Sequence, residues 1–123
     1  MKKLLIFAAV SDASFGLILL VYPPIVIRLL FDSEIVGAGV LMSRIAGIAL
    51  IALGVACWPD RNTLRAFFAM LTYNLLAVLY LVYVGISGGA GILLWPAVAE
   101  HAGLSVLLLW VWRKEQRAPE ANA

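Results

Sequence analysis

Apolar residues fill four long blocks of the chain, and polar residues collect in the short breaks between them. Residues 4–22 form the first block, with Lys2 and Lys3 before it and Pro23-Pro24 after it. Residues 35–58 form the second, between Asp32-Ser33-Glu34 and Pro59-Asp60-Arg61-Asn62. Residues 63–86 form the third, which stops at Ser87-Gly88-Gly89-Ala90-Gly91. Residues 92–112 form the fourth, which stops at Arg113-Lys114-Glu115-Gln116-Arg117. A helix rises about 1.5 Å per residue, so about 20 apolar residues cross a hydrocarbon core of about 30 Å. The pattern therefore predicts an all-α fold, an integral membrane four-helix antiparallel bundle, with residues 1–123 as a single transmembrane domain. The double proline ends the first span, and the apolar stretch 25–31 behind it is expected either as a short helix along the outer interface or as a bent extension of that span. Residues 115–123 are expected to be a disordered tail.

Helices of a soluble bundle would show a polar face every 3.6 residues. Residues 75–86 offer only tyrosines and a glycine in that role, and residues 104–112 only one serine. Strict apolar/polar alternation, the mark of a membrane β-barrel, is absent. At the N-terminus Lys2-Lys3, a short apolar run to Val10 and the small Ser11 and Ala13 resemble a cleavable signal peptide, but apolar sequence continues through Leu17 to Val21 and favours an uncleaved anchor.

Composition agrees with lipid as the solvent. The chain is 64% hydrophobic and 13% charged, against about 45–50% and about 25% for soluble domains. Net charge is +2 and there is one cysteine. These values exclude a soluble enzyme domain, a disordered chain, a nucleic-acid-binding module and a disulfide-stapled secreted protein. With the N-terminus inside, Lys2, Lys3, Arg61, Arg65, Arg113, Lys114 and Arg117 fall on the cytoplasmic side, Arg28 outside and Arg44 within the membrane. The positive-inside rule then places both termini in the cytoplasm of a bacterial inner (plasma) membrane. Trp58, Trp95, Trp110 and Trp112 stand near span ends, where indole rings favour the headgroup level.

Ionisable side chains within a span are costly unless they face protein or water, so Asp12, Arg44, Glu100 and His101 are the natural places to seek function. Helical rise puts Asp12 about 13 Å above the cytoplasmic face, Arg44 about 21 Å and Glu100 about 20 Å, with Asn74 near mid-depth. Arg44 and Glu100 thus share a level and are expected to form an ion pair between the second and fourth spans, assisted by Tyr73, Asn74 or Ser43. On the second span Gly37, Val40, Arg44, Gly47, Ile51 and Gly54 share a side, and Gly39, Ser43 and Gly47 form a small-residue row beside it. Small residues permit close helix approach, so this side is expected to pack against protein. Pro96, Gly103 and Leu107 share the Glu100 face, which places a proline kink one turn before the acid. Three roles are open for the pair: a structural staple, a polar pocket for an anionic or quinone-like headgroup or a proton, and a contact with a partner subunit.

Asp12 lies between Ser11 and Ala13, with Ser14 close by, and is expected to be a neutral acid hydrogen-bonded to a hydroxyl, or a proton relay given a partner at its depth. His101 has no second histidine with which to hold haem, and Glu100 points about 100° away from it, a poor arrangement for one metal. A hydrogen bond to a neighbouring helix suits it better. Cys57 reads as a small apolar residue. No catalytic set, phosphate-binding glycine loop or zinc spacing is present, so no catalytic residues, metal or cofactor are expected.

The run Gly16-Leu17-Ile18-Leu19-Leu20, Pro23, Leu29-Leu30, then Ser43-Arg44-Ile45-Ala46-Gly47 and Ala52 through Trp58 resembles small four-span bacterial inner-membrane proteins of unassigned function. The R-x-x-G of Arg44 and Gly47 is similar to DoxX-like proteins, and that resemblance implies four spans and an association with quinone-linked redox complexes. The leading expectation is an accessory or structural membrane subunit. The alternatives are a small transporter or proton-coupled carrier acting as an oligomer, and a quinone-linked redox subunit. Expected partners are the lipid bilayer and further copies or a larger membrane complex, with no nucleic acid.

Overall fold

A computed structural model describes residues 1–59 and 63–117, and among them the chain is helical without strands. The helices are α1 (Lys2–Val21), α2 (Pro23–Phe31), α3 (Ala38–Ala56), α4 (Thr63–Ile86) and α5 (Leu94–Arg117). All except α2 are long and apolar enough to cross a membrane, which makes the chain a multi-pass membrane protein.

Local chemistry explains where each helix stops. The N–H of Tyr22 closes α1 on the Ile18 carbonyl, and Pro23-Pro24 then occupy the first turn of α2. Prolines are tolerated there because those N–H groups have no helical partner anyway, so the pair starts a new helix rather than bending the old one. Asp32 ends α2 in the left-handed conformation, φ 48°. Gly37 turns the chain into α3 with φ 55°, and the helix therefore begins after residue 35, where hydropathy alone would start it. Leu94 opens α5, so Pro96 falls in its first turn, and the kink expected before Glu100 has no helix interior to act on. Residues 115–117, expected in the disordered tail, continue α5, while 118–123 lie outside the described residues. The Met1 ammonium meets Glu115 at 3.1 Å, which brings the start of α1 and the end of α5 to one face of the bundle.

Two close helix pairs build the molecule, α1 with α3 and α4 with α5. A Cβ added at Gly47 would stand 2.6 Å from the Gly16 carbonyl oxygen, and one at Gly54 would stand 2.6 Å from the Ala9 carbonyl oxygen. The α1–α3 backbones thus touch where glycine removes the side chain, as small residues allow in lipid. Of the expected packing positions, Gly47 and Gly54 are buried, whereas a Cβ added at Gly37 would meet nothing within 4 Å and one at Gly39 only Ile35 of its own connection. At the far end the 87–93 turn is bonded onto α2: the Gly91 N–H donates to the Leu30 carbonyl at 2.8 Å and Leu93 to Leu29 at 2.9 Å.

The two pairs meet through two separate apolar clusters. Near the termini Leu5, Ala8 and Ala9 pack with Cys57, Phe67, Met70 and Leu108. At the opposite end Leu19 packs with Val26 and Leu30 of α2. Trp112 turns inward and stacks on Phe67 at 5.7 Å, unlike the exposed Trp58, Trp95 and Trp110. The polar residues of α1, α4 and α5 lie between these clusters.

Candidate functional site

On α1, Asp12 is buried at 6% exposure while its neighbour Ser11 is turned toward α5. The Ser11 hydroxyl donates to Glu100 Oε1 at 2.6 Å. Ser11, one of the two hydroxyls near Asp12, is therefore spent on the other acid, and Asp12 Oδ2 is buried without a hydrogen-bond partner. Glu100 itself is exposed, and on the same face a Cβ added at Gly103 would meet nothing within 4 Å and Leu107 is exposed as well. The Glu100 face of α5 is thus its open face, and the buried face carries Leu94, Leu104, Ser105 and Leu108.

Across the layer, Asn74 is wholly enclosed and links α4 to α5. Its Nδ2 donates to the Met70 carbonyl at 2.8 Å, which fixes the amide and aims Oδ1 at His101. His101 Nδ1 lies 2.8 Å from that oxygen and must be the donor, since an amide oxygen only accepts. The lone pair of the neutral ring is then on Nε2. Tyr73 packs edge-on against the imidazole at 5.6 Å, and the Ser105 hydroxyl donates to the His101 carbonyl at 2.8 Å. The helix-to-helix hydrogen bond expected of His101 is present.

Arg44 is not part of this cluster. It is exposed, and the one ion pair within 4.0 Å among the described residues is Met1 with Glu115. The expected Arg44–Glu100 pair therefore does not form. The reason is the position of α1. Ala9, Ala13 and Gly16 turn toward α3, and Ser11 stands about 160° around the helix from Ala9 and Ala13. Arg44 rides on α3 on one flank and Glu100 is held by Ser11 on the other, with the width of α1 between them. Equal depth is necessary for an ion pair, but azimuth decides it.

Comparison with family models, curated proteins and solved structures gives no significant match. Among the described residues no three His, Cys, Asp or Glu side chains are grouped to hold a metal ion. What the layer does offer is a sealed carboxyl oxygen, a second carboxyl open at the surface, and an imidazole with its orientation fixed. An ionised carboxylate without partners is not tolerated in an apolar interior, so such an oxygen requires a bound proton or a bound cation. Ser11 and Ser105, the hydroxyls that complete the network, were legible as polar but not as partners of Glu100 and His101, because helix register and rotation are not written in hydropathy.

Proposed function

We propose that the chain is a small proton-coupled carrier of the bacterial inner membrane, with both termini cytoplasmic, in which Asp12 and Glu100 exchange a proton. The observation that carries this reading is the buried, unpartnered Oδ2 of Asp12 beside a Glu100 that opens to the surface. Ser11, bonded to Glu100, is the chain neighbour of Asp12, so a proton held at Glu100 has a second acceptor within the layer, and the His101 imidazole lies on the next position of the same helix. The bias of Lys and Arg toward one side, with Lys2, Lys3, Arg61, Arg65, Arg113, Lys114 and Arg117 there and Arg28 opposite, supports the orientation.

The test is proton flux in reconstituted vesicles carrying an internal pH dye, driven by an imposed potassium diffusion potential. Wild-type protein is expected to acidify the lumen faster than protein-free vesicles. Asp12→Asn and Glu100→Gln are each expected to abolish the difference while retaining helical content. Flux that is absent in wild type, or unchanged in both variants, overturns the reading.

A second reading keeps the chain as an accessory subunit, and Arg44 favours it. An arginine on a lipid-facing helix costs about 2.5–3.5 kcal/mol on insertion scales. A partner covering α3 would remove that cost, since α3 rests mainly on α1 and leaves Leu41, Met42, Ile45 and Ile48 exposed. Crosslinking in native membranes followed by capture is expected to lose that partner in Arg44→Glu.

A further inference from the structure

A groove of about 440 Å³ lies at the end of the bundle opposite the termini. Helix α2 lines it with Pro24, Ile25 and Arg28, and the connection to α3 lines it with Ser33, Glu34 and Ile35. The helical period accounts for this placement. Pro23, Val26 and Leu30 bury one side of α2, and Pro24, Ile25 and Arg28 occupy the opposite side. Tyr22, between α1 and α2, completes the wall.

Arg28 and Glu34 line the same groove, yet neither is in an ion pair within 4.0 Å among the described residues. The site thus presents a guanidinium and a carboxylate separately, with a serine hydroxyl beside the carboxylate and apolar walls between. Lipid-facing surface adjoins it, since Ile18 and Val21 of α1 and Val36 of the connection are all exposed. We propose that this groove binds the headgroup of a zwitterionic phospholipid with a primary amine, of the phosphoethanolamine type. Arg28 takes the phosphate with its planar fork of donors, and Glu34 and Ser33 accept N–H bonds from the ammonium. Tyr22 has the amphipathic ring suited to the headgroup level. A headgroup without an amine leaves Glu34 facing a phosphate. A quaternary ammonium has no N–H to give to Glu34 or Ser33. The exposed apolar residues below the groove offer the acyl chains a path that a soluble amine phosphate would not use.

The measurement is native mass spectrometry of the full chain released from micelles supplemented with equal amounts of phosphatidylethanolamine, phosphatidylcholine and phosphatidylglycerol. The ethanolamine lipid is expected to be retained about tenfold over the other two. Arg28→Gln and Glu34→Gln are each expected to erase that preference, and Glu34→Gln alone is expected to raise retention of phosphatidylglycerol. Both positions are exposed, and circular dichroism on the same samples confirms the helices. Equal retention of the three lipids, an unchanged preference in both variants, or full displacement by soluble phosphoethanolamine overturns the proposal.

Discussion

Asn74 is completely enclosed and has both ends of its amide engaged, on Met70 and on His101. Truncating it to leucine leaves the His101 Nδ1–H without an acceptor, and an unsatisfied buried donor costs about 1–3 kcal/mol. Asn74→Leu and His101→Leu are therefore each expected to destabilise by that amount. The double variant is expected to lose less than the sum, by about 0.5–3 kcal/mol. Reversible unfolding in mixed micelles, followed by far-ultraviolet circular dichroism, measures the cycle, and strict additivity would mean the bond contributes nothing. The glycines divide in the same way by surroundings. Gly54→Ala places a Cβ 2.6 Å from the Ala9 carbonyl oxygen and is expected to cost about 1–3 kcal/mol. Gly103→Ala meets nothing within 4 Å and is expected to stabilise α5 by up to about 1 kcal/mol. Both sit in apolar spans and look equivalent in the sequence; only the approach of α1 to α3 separates them.

Helices were the most legible elements. The block 63–86 coincides with α4, and the first and last spans differ from theirs by a few residues, because length and apolar content are local properties. The short segment after Pro23-Pro24 was legible as helical, but not as a docking platform. Its C-terminal carbonyls, from Leu29 and Leu30, receive the 87–93 turn. A Cβ at Gly91 would collide with the Leu29 carbonyl, so Gly91→Ala is expected to push that turn off α2 at a cost of about 1–3 kcal/mol. Faster proteolysis within 87–93, compared with a Gly88→Asn control at a positive-φ position with no neighbour within 4 Å, measures the effect. Equal cleavage rates would show that the turn is held by other contacts. Pro96 teaches the converse: a proline expected to kink a helix merely begins one, and the distinction rests on where the first turn falls.

The whole molecule is two antiparallel pairs joined through α1, with a polar layer between two apolar clusters. That arrangement predicts which residues share a neighbourhood. With Cys57→Ala removing the native thiol, Ser11→Cys with Glu100→Cys is expected to be joined by a short bis-thiol crosslinker within one chain. Arg44→Cys with Glu100→Cys is expected not to be, because α1 stands between them. Peptide mapping of the monomer band reads the result, and the reverse pattern would contradict the placement of α3. The sequence selected Asp12, Tyr73, Asn74, Glu100 and His101 by a sound criterion, the cost of polar atoms in lipid. It misassigned the partners of Asp12 and Glu100, because depth along a helix is countable while rotation about it is not.

The sequence by itself determined the solvent, the four long helices and the short list of polar residues that lipid cannot accommodate freely. These follow from composition and from the length of an apolar run, which each segment carries alone. The tertiary structure decided which helices touch and what each acid meets. In hydrocarbon no hydrophobic difference ranks one apolar face over another, so pairing falls to close backbone approach at Gly16, Gly47 and Gly54. That approach puts α3 on one side of α1, leaves Ser11 free to hold Glu100 on the other, and removes Arg44 from the charge it matches in depth.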